Sequence, residues 1–391
     1  MKRKISMVLA LLVGGVLLSY GQKTDEKVRV KFSGFVKTDF MYDTRQTTNA
    51  REGHFLILPA PENRKDGEDL NAQSNINFLS IQTRLRVKIS GPDFFGMKTA
   101  GMVEGAFFGN SNATTGEFRL RHAFVKLSND KIDIFVGQYW HPMFVTAVYP
   151  QTYSFSSGVP FQPFSRNPQL RLETKGKVKF IGVLFTERDF KTRGASVSQS
   201  GIPQLHAQLQ FGKKATTLGG FGVNLKTVRP GLGMDNFSTL AYISYFRTKL
   251  GTTTWKAEAT YGDNMSDLLQ IGGIGVNYDD EYIATSTLSI WTEFSGDFSD
   301  SMEWGIFGGY TSNGGFDESV TPIAGFLSSS VLDAWRVAPR IGWKSGKLKL
   351  GIETEYTSAQ YGSMQNDGSM YDEELDAVGN FRLMTTAIYN F

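Results

Sequence analysis

The chain has 391 residues, of which 40% are hydrophobic and 13% aromatic, and it contains 42 glycines and no cysteine. The lack of cysteine excludes a disulfide framework, and Lys2, Arg3 and Lys4 account for the whole excess of 41 basic over 38 acidic residues. The balanced remainder gives no support to nucleic-acid binding, and no stretch after the first 21 residues is long and apolar enough for a membrane-spanning helix.

The N-terminus predicts a cleaved secretory signal peptide over residues 1–21. Its basic residues precede an apolar run of fourteen residues, Ile5–Leu18, and Ser19-Tyr20-Gly21 supplies the small residues of a cleavage site. The run is shorter than the ~20 residues of a membrane-spanning helix, which disfavours a retained anchor. We expect residues 22–391 to form one exported domain.

Residues 27–43 predict a long first strand. Apolar residues share one parity and polar or charged residues share the other, over about three times the length of a typical soluble strand. A polar loop, 44–75, follows it. The second strand is clearer still: Leu79, Ile81, Thr83, Leu85, Val87 and Ile89 alternate with Ser80, Gln82, Arg84, Arg86 and Lys88. Because unpaired charge is very costly in a dry core, the charged face must meet water.

The alternation continues to the C-terminus as a series of hairpins. Further strands are predicted at 98–109, 117–128, 132–140, 168–175, 178–187, 204–212, 217–227, 237–248, 253–262, 282–295, 301–312, 332–343, 347–358 and 379–391. Short and long connections alternate, as in a transmembrane barrel with short periplasmic turns and long extracellular loops. The sequence therefore predicts an all-β, antiparallel transmembrane β-barrel of about 16 strands. A soluble sheet with one solvated face would not require that alternation.

The last strand is predicted to close the barrel. Phe381, Leu383, Thr385, Ala387, Tyr389 and Phe391 share one face, and Arg382 lies on the other. We expect this strand to pair with residues 27–43, because a closed barrel leaves no free edge. The terminal aromatic, Phe391, resembles the C-terminal signature of Gram-negative outer-membrane barrels. That resemblance implies recognition by the barrel-assembly machinery.

Four short motifs resemble the trimeric, DcaP-like family of outer-membrane porins. They are Gly34-Phe35-Val36-Lys37-Thr38-Asp39, Phe118-Arg119-Leu120-Arg121-His122-Ala123-Phe124-Val125, Val136-Gly137-Gln138-Tyr139-Trp140 and Asn167-Pro168-Gln169-Leu170-Arg171. The similarity is scattered over roughly the first 190 residues. It implies a sixteen-stranded homotrimer in the cell outer membrane, in contact with lipid and lipopolysaccharide, that passes small, often anionic, solutes.

The long segment 141–167 is the candidate constriction. It is the third outer loop in the predicted order, and the resemblance to porins favours a loop that folds inward. Its aromatic residues would expose apolar surface if the loop stayed outside the barrel. An extracellular cap or a trimer contact is the alternative. The residues singled out are His141, Phe144, Tyr153, Phe161, Phe164 and Arg166.

Inward-facing charges are expected to set the selectivity. The candidates are Arg84, Arg86, Lys88, Glu104, Arg119, Arg121, Arg171, Glu173, Arg336, Arg340, Glu353 and Glu355. A basic ladder on the second and fourth strands would face an acidic wall on the fifteenth, with a mild preference for anions. Alternatively, these charges pair across strands and only hold the interior in shape.

Nothing in the sequence indicates catalysis, a cofactor or a metal site. The four histidines, His54, His122, His141 and His206, have no metal-ligand spacing, and His122 falls on the outward parity of its strand. The acidic segment 367–376 would bind a divalent cation or simply face water. The leading function is a diffusion porin. The alternatives are a structural or adhesion barrel with a plugged lumen, and an outer-membrane enzyme.

Overall fold

The structure, a computed structural model, describes residues 28–109, 112–192, 194–277, 279–322, 331–365, 367–372 and 377–391. The predicted signal peptide lies outside the described residues, and so do residues 373–376 of the acidic segment 367–376. The described chain is almost entirely β-structure. Its one α-helix, Val197–Ser200, has four residues.

Twenty-five strands, β1–β25, follow one another along the described parts of the chain. Their bounds are β1 Arg29–Asp43, β2 Thr47–Ala50, β3 Phe55–Pro59, β4 Arg64–Lys65, β5 Glu68–Asp69, β6 Asn75–Leu79, β7 Arg84–Phe94, β8 Met97–Ala106, β9 Arg119–Ser128, β10 Ile132–Trp140, β11 Arg166–Thr174, β12 Val178–Phe185, β13 Gln204–Gly212, β14 Thr217–Val228, β15 Phe237–Leu250, β16 Thr253–Asp263, β17 Ile274–Asn277, β18 Tyr282–Ala284, β19 Ser286–Ser299, β20 Met302–Gly315, β21 Val320–Pro322, β22 Val331–Ser345, β23 Leu348–Met364, β24 Met370–Asp372 and β25 Val378–Asn390. Two 3₁₀ turns, Asn112–Thr114 and Ser266–Leu268, lie between strands.

One antiparallel sheet closes on itself to form the barrel. β6 and β7 occupy a single position in it, β24 is only a short addition to the end of β23, and sixteen strand positions result. β1 closes the ring, since it pairs on one side with β6 and β7 and on the other with β25. The closing register matches Val36 with Tyr389 and Asp43 with Arg382. The predicted sixteen-stranded antiparallel barrel, sealed by its last strand, is confirmed.

The barrel has a long-loop end and a short-turn end. Seven tight connections, such as 95–96 and 346–347, join strands at the short-turn end. Eight longer connections, here called L1–L8, join them at the other end. They are L1 44–74, L2 107–118, L3 141–165, L4 186–203, L5 229–236, L6 264–285, L7 316–330 and L8 365–377.

The two faces of the wall differ as the alternation predicts. The outward face is apolar and exposed, with Leu170, Leu205, Phe211, Tyr261, Ile306, Trp335, Trp343, Leu350 and Tyr356 among its residues. The inward face buries charged and polar side chains together with an aromatic core. Among the described residues, no helix has the length and the apolar character needed to cross a membrane.

The second barrel strand is interrupted at residues 80–83, where a continuous strand is predicted. The Thr83 amide donates to the Ser80 carbonyl over 3.1 Å, and the Lys37 amide donates to Thr83 Oγ1 instead of to a ladder carbonyl. The interruption directs Ile81 into the lumen, where it joins the main hydrophobic cluster. The prediction that Ile81 faces outward is wrong because a side-chain hydrogen bond replaces the ladder at this point.

A β-bulge between β8 and β9 reverses the phase of the fourth barrel strand. Glu104 pairs with His122 and Gly105 pairs with Leu120, so Arg121 is the extra residue. Arg121 and His122 therefore both face the lumen, where they are buried. The prediction that His122 faces outward is wrong, since strict alternation does not survive the bulge.

Candidate functional site

L3 crosses the lumen and is held by the opposite wall. The backbone amides of Tyr153 and Ser154 donate to the Glu353 carboxylate over 2.7 and 2.8 Å. The Gln151 amide donates to Glu293 over 2.7 Å. On the remaining side, Lys37 Nζ donates to the Tyr153 carbonyl over 2.7 Å. L3 is therefore fixed to β1, β19 and β23, which lie far from its own ends in the sheet order.

Glycines in the wall make room for the rings of L3. A methyl group on Gly342 or Gly351 would overlap the ring of Tyr153. A methyl group on Gly309 would overlap the ring of Phe161, which lies against Phe307 with ring centroids 6.2 Å apart. Glycine is the only residue without a Cβ, so these positions specify the seating of L3.

L1 lies in the lumen beside L3. Its strand β3 is fully buried and β2 is half-buried. Arg336 donates to the carbonyl oxygens of Ile57 in L1, over 3.0 Å, and Val159 in L3, over 2.9 Å. Arg382 holds Asp43 with two hydrogen bonds of 2.8 and 2.7 Å and also donates to the Gly53 carbonyl. The residues of L1 (44–74) and L3 (141–165) that lie inside the lumen are together called the loop layer.

The loop layer is apolar where it meets the wall. Trp140 and Phe144 stack with ring centroids 3.8 Å apart, and Phe55 lies edge-on to Phe164 at 5.5 Å. These rings belong to one cluster that also takes in residues of L6 and of β15, β19 and β20. Burial of this area in the lumen explains why so many aromatic residues occur in the loops.

A cavity of about 890 Å³ lies between the loop layer and the short-turn end. Tyr149, Gln151, Tyr153 and Phe155 of L3 form one end of it. Its lining includes eight lysine or arginine side chains and three carboxylates. The cations are Lys37, Arg84, Arg86, Lys88, Arg121, Lys249, Arg340 and Lys349, and the carboxylates are Glu104, Asp297 and Glu303.

Glu104 is surrounded by cations. Arg86 Nε donates to it over 2.7 Å, Arg121 Nε over 3.0 Å, and Arg84 Nε lies 3.7 Å from its carboxylate. One carboxylate cannot neutralise three guanidinium groups, so this part of the cavity stays positive. Arg84, Arg86 and Lys88 of β7 and Arg121 of β9 therefore line the cavity together, whereas Arg119 of β9 does not.

The predicted acidic wall is not exposed to the cavity. Glu353 is fully buried under L3, where its oxygens accept backbone hydrogen bonds, and Glu355 is buried beside it. The expectation that both face the lumen water opposite the basic ladder is wrong: L3 covers Glu353, and Glu355 is buried as well. Arg336 is likewise buried, and its donors are used by loop carbonyls and Thr357.

Three other predicted wall charges form pairs away from the cavity. Arg171 donates to Glu173 over 2.6 Å, and Lys179 also holds Glu173. Arg119, the third of these charges, pairs with Asp189 of L4. Arg340 differs from them, since it lines the cavity and also lies 3.1 Å from Glu293. The alternative that charges pair across the wall thus describes part of the inward set.

The predicted constriction residues occupy distinct places. Phe144, Tyr153 and Phe164 line the cavity, and Phe161 packs against the wall. His141 is buried at the start of L3 and accepts from the Met143 amide, while Arg166 begins β11 and pairs with Asp189 over 2.5 Å. Burial lowers the pKa of His141 well below its usual value, so this histidine is neutral near pH 7.

L1 contributes one contact that sequence reasoning did not single out. His54 Nε2 lies 2.9 Å from Asp39 of β1, whose carboxylate also lies 3.0 Å from Lys37 Nζ of the same strand. Burial lowers the pKa of His54 to about 4, against the opposing pull of the Asp39 charge. Alternation placed Lys37 and Asp39 on the inward face, but no local pattern could bring a loop histidine to them.

No metal centre appears among the described residues, where no group of three or more histidine and acidic side chains could hold an ion. His122 contacts Trp140 and Tyr139, and His206 lies 3.1 Å from Gln208. These histidines are parts of separate packed clusters.

The fold is that of solved outer-membrane channels. The outer membrane channel DcaP of Acinetobacter baumannii is 16% identical, covers 95% of this chain and 100% of its own, and superposes with a TM-score of 0.73. An anion-selective porin from Comamonas acidovorans is 12% identical over 93% of this chain and 100% of its own, with a TM-score of 0.58. OmpT of Vibrio cholerae, from the outer membrane, is 11% identical over 95% and 99%, with a TM-score of 0.57.

No protein-family model matches the sequence, and no curated protein matches it either. The likenesses at 11–16% identity therefore establish the architecture, and the chemistry has to be argued from this chain's own side chains.

Proposed function

We propose that the chain is a diffusion porin of the outer membrane that passes small hydrophilic solutes, with a mild preference for anions. L3 narrows the path, and the cavity beneath it forms the selective part. A signal peptide over residues 1–21 exports the chain, and residues 22–391 form the barrel. The apolar, exposed outer face suits lipid, as it does in transmembrane barrels.

The proposal rests on the charged side chains that line the cavity. Eight cationic side chains against three carboxylates leave a positive lining. Rings of arginine and lysine favour anions in pores, and low-dielectric walls focus that field. That one structural relative is an anion-selective porin supports the same conclusion.

The barrel architecture also supports a proposal about the lipids and the partner chains that surround the protein. Lipid contacts the outward face, lipopolysaccharide meets the long-loop end, and the functional unit is a homotrimer like the porins with this architecture. The trimer would leave the cavity of each chain separate, because the cavity is enclosed by a single closed sheet.

Steady ion current through purified protein in planar bilayers tests the proposal. The porin account predicts stepwise insertions with a steady current. A panel of monocarboxylates, dicarboxylates, sugars and amino acids added to the same bilayer then ranks the solutes by their block of that current. Insertion of folded protein without current would contradict the account.

A plugged structural or adhesion barrel is the second candidate, because the loop layer packs the long-loop half of the lumen with aromatic residues. Under that account the lumen carries no current. The long loops would then bind a surface, and shortening L3 would open the lumen for the first time rather than widen it.

Deletion of Phe391 tests the proposed recognition by the barrel-assembly machinery. Phe391 contributes only the end of the closing ladder, where it exchanges hydrogen bonds of 3.2 and 3.3 Å with Gly34. We expect far less folded protein in the outer membrane and unchanged ion selectivity in the channels that form. Unchanged yield would contradict the assembly role.

A further inference from the structure

Three buried guanidinium groups meet on shared aromatic rings beside the cavity, whose lining includes Arg121 and Trp140 of this group. Arg51 and Arg121 lie 4.9 and 5.6 Å from the centre of the Phe108 ring. Arg121 and Arg166 lie 5.9 and 5.0 Å from the centre of the Trp140 ring. The three arginines come from L1, β9 and the start of β11, so the cluster joins a loop to two strands.

Each of the three has a buried nitrogen without a hydrogen-bond acceptor among the described residues. The atoms are Nη1 of Arg51, Nη1 of Arg121 and Nη1 of Arg166. The side chains are 3%, 2% and 1% exposed, so bulk water does not satisfy these donors. A buried donor that lacks a partner destabilises the fold, more so when it is charged.

The local charge is also unbalanced. Asp189 pairs with Arg119 and Arg166, and Glu104 is shared by Arg84, Arg86 and Arg121. Among the described residues, no carboxylate lies within 4.0 Å of the Arg51 guanidinium. Burial lowers the pKa of Arg51 only to about 10, so the group is charged at neutral pH. Six cations thus share two carboxylates.

We propose that this cluster binds one compact oxyanion of the phosphate or sulfate kind in the part of the cavity that Arg121 lines. Arg121 is the primary contact, because it belongs both to the cluster and to the cavity lining. Arg84, which also lines the cavity and has an unpartnered Nε, approaches the same space. Arg51 and Arg166 strengthen the site through the positive potential that they add behind the rings.

The chemistry favours a tetrahedral oxyanion over chloride. Guanidinium groups present planar forks of N–H donors that match the oxygens of phosphate and sulfate, and such charge-assisted hydrogen bonds are strong. A doubly charged oxyanion also neutralises more of the excess positive charge of the cluster than the single charge of chloride does. Because Arg51 belongs to L1 and Arg166 begins β11, the positive potential at the anion comes from both the loop layer and the wall.

The site is tested by calorimetric titration of the full exported chain, in detergent, with inorganic phosphate and separately with sulfate at constant ionic strength. We expect saturable binding of one anion per chain. Arg51→Gln should weaken the affinity at least about tenfold, although Arg51 is not part of the cavity lining. Arg121→Gln should weaken it further.

Arg64→Gln is the matched control. Arg64 belongs to the same loop and carries the same charge, but it is exposed and pairs with Glu62, outside the cluster. We expect its affinity to equal that of the unaltered chain. A titration without saturable binding, or equal affinities for Arg51→Gln and Arg64→Gln, would overturn the inference.

Ion current separates this inference from the proposed function. In planar bilayers the same anions should inhibit chloride current saturably, and less so in Arg51→Gln. Saturable calorimetric binding without any current would contradict the porin and leave the anion site intact. Chloride current that sulfate and phosphate do not inhibit, with no calorimetric binding, would contradict the anion site and leave the porin intact. Circular dichroism of each variant checks that the barrel is folded.

Discussion

The two halves of the lumen use inward-facing charges in opposite ways. Near the short-turn end, Arg86 and Lys88 line the cavity of about 890 Å³ and keep part of their surface exposed. Under the loop layer, Glu353 and Arg336 face the same way from the wall but are fully buried by L1 and L3. The same parity therefore produces a cation-rich lining in one half and an anchor for loops in the other.

This difference shows that the sign of the net charge of the cavity lining depends on which charged side chains the loops cover. L3 removes Glu353 from the water-filled space by hydrogen bonding to it, and it holds Glu293 in the same way. Arg84, Arg86 and Lys88 instead line the cavity. The loops bury the basic Arg336 as well as these acidic groups, and the lining that stays open contains more cations than carboxylates. Four predictions follow from that contrast.

Shortening L3 should have the largest effect. Replacement of residues 146–160 by a short glycine-serine linker removes the L3 partners of Glu353 and Glu293 and the rings that form one end of the cavity. We expect a severalfold rise in single-channel conductance together with a weaker anion preference, because acidic groups become exposed to the lumen. Equivalent shortening of L5 at residues 230–234 should change neither property. Unaltered conductance after the L3 replacement would contradict the inward position of the loop.

Glu353→Gln should loosen L3 without changing the wall. An amide side chain accepts through one oxygen only, so one of the Tyr153 and Ser154 amides loses its partner. The loss of a hydrogen bond to a charged group costs about 2 kcal/mol, which corresponds to a roughly thirtyfold drop in amide protection. Hydrogen exchange of the L3 backbone amides measures this drop in protection. Glu303→Gln, which accepts from the Tyr153 hydroxyl instead, is the control and should leave these amides protected.

Acid should loosen L1 at the opposite side of the loop layer. The pKa of His54 is about 4 in the folded chain, below its ordinary value of 6.5, so the unfolded chain binds more protons between these values. L1 should therefore lose stability as the pH falls from about 6.5 through 4, by up to roughly 3 kcal/mol. Hydrogen exchange of L1 at pH 7 and pH 4 measures the change. His54→Asn, which does not titrate, should show a smaller one, and a pH-independent L1 would contradict the burial of His54.

Much of the barrel could be predicted from alternation alone. The period-two pattern identified the strands, their sequence order predicted closure of β25 on β1, and the connection lengths distinguished the two ends. The failures are local. Thr83 breaks β6 from β7 through a hydrogen bond to the Lys37 backbone, and the bulge at Arg121 turns His122 inward. Neither event changes the composition of the strand, so the alternation cannot predict it.

The site was less predictable than the wall. Parity predicted that Arg86 and Glu353 both face inward, but it contains no information about which of them a distant loop covers. The contact between Tyr153 and Glu353 joins residues 200 positions apart, and the Arg336 contact with Ile57 joins residues 279 positions apart. The glycines that receive L3, Gly309 and Gly351, are common residues in any strand-rich chain. Only the closed barrel brings these partners together.

The reversal potential in planar bilayers under a tenfold potassium chloride gradient tests the central claim most directly. The account predicts an anion-selective potential for the unaltered chain. In the double variant Arg86→Gln, Lys88→Gln it predicts a shift toward zero, because two of the eight cavity cations are removed. Lys214→Gln, an exposed turn residue outside the cavity, should retain the original potential. A cation-selective potential, or an equal potential for the double variant, would contradict the account.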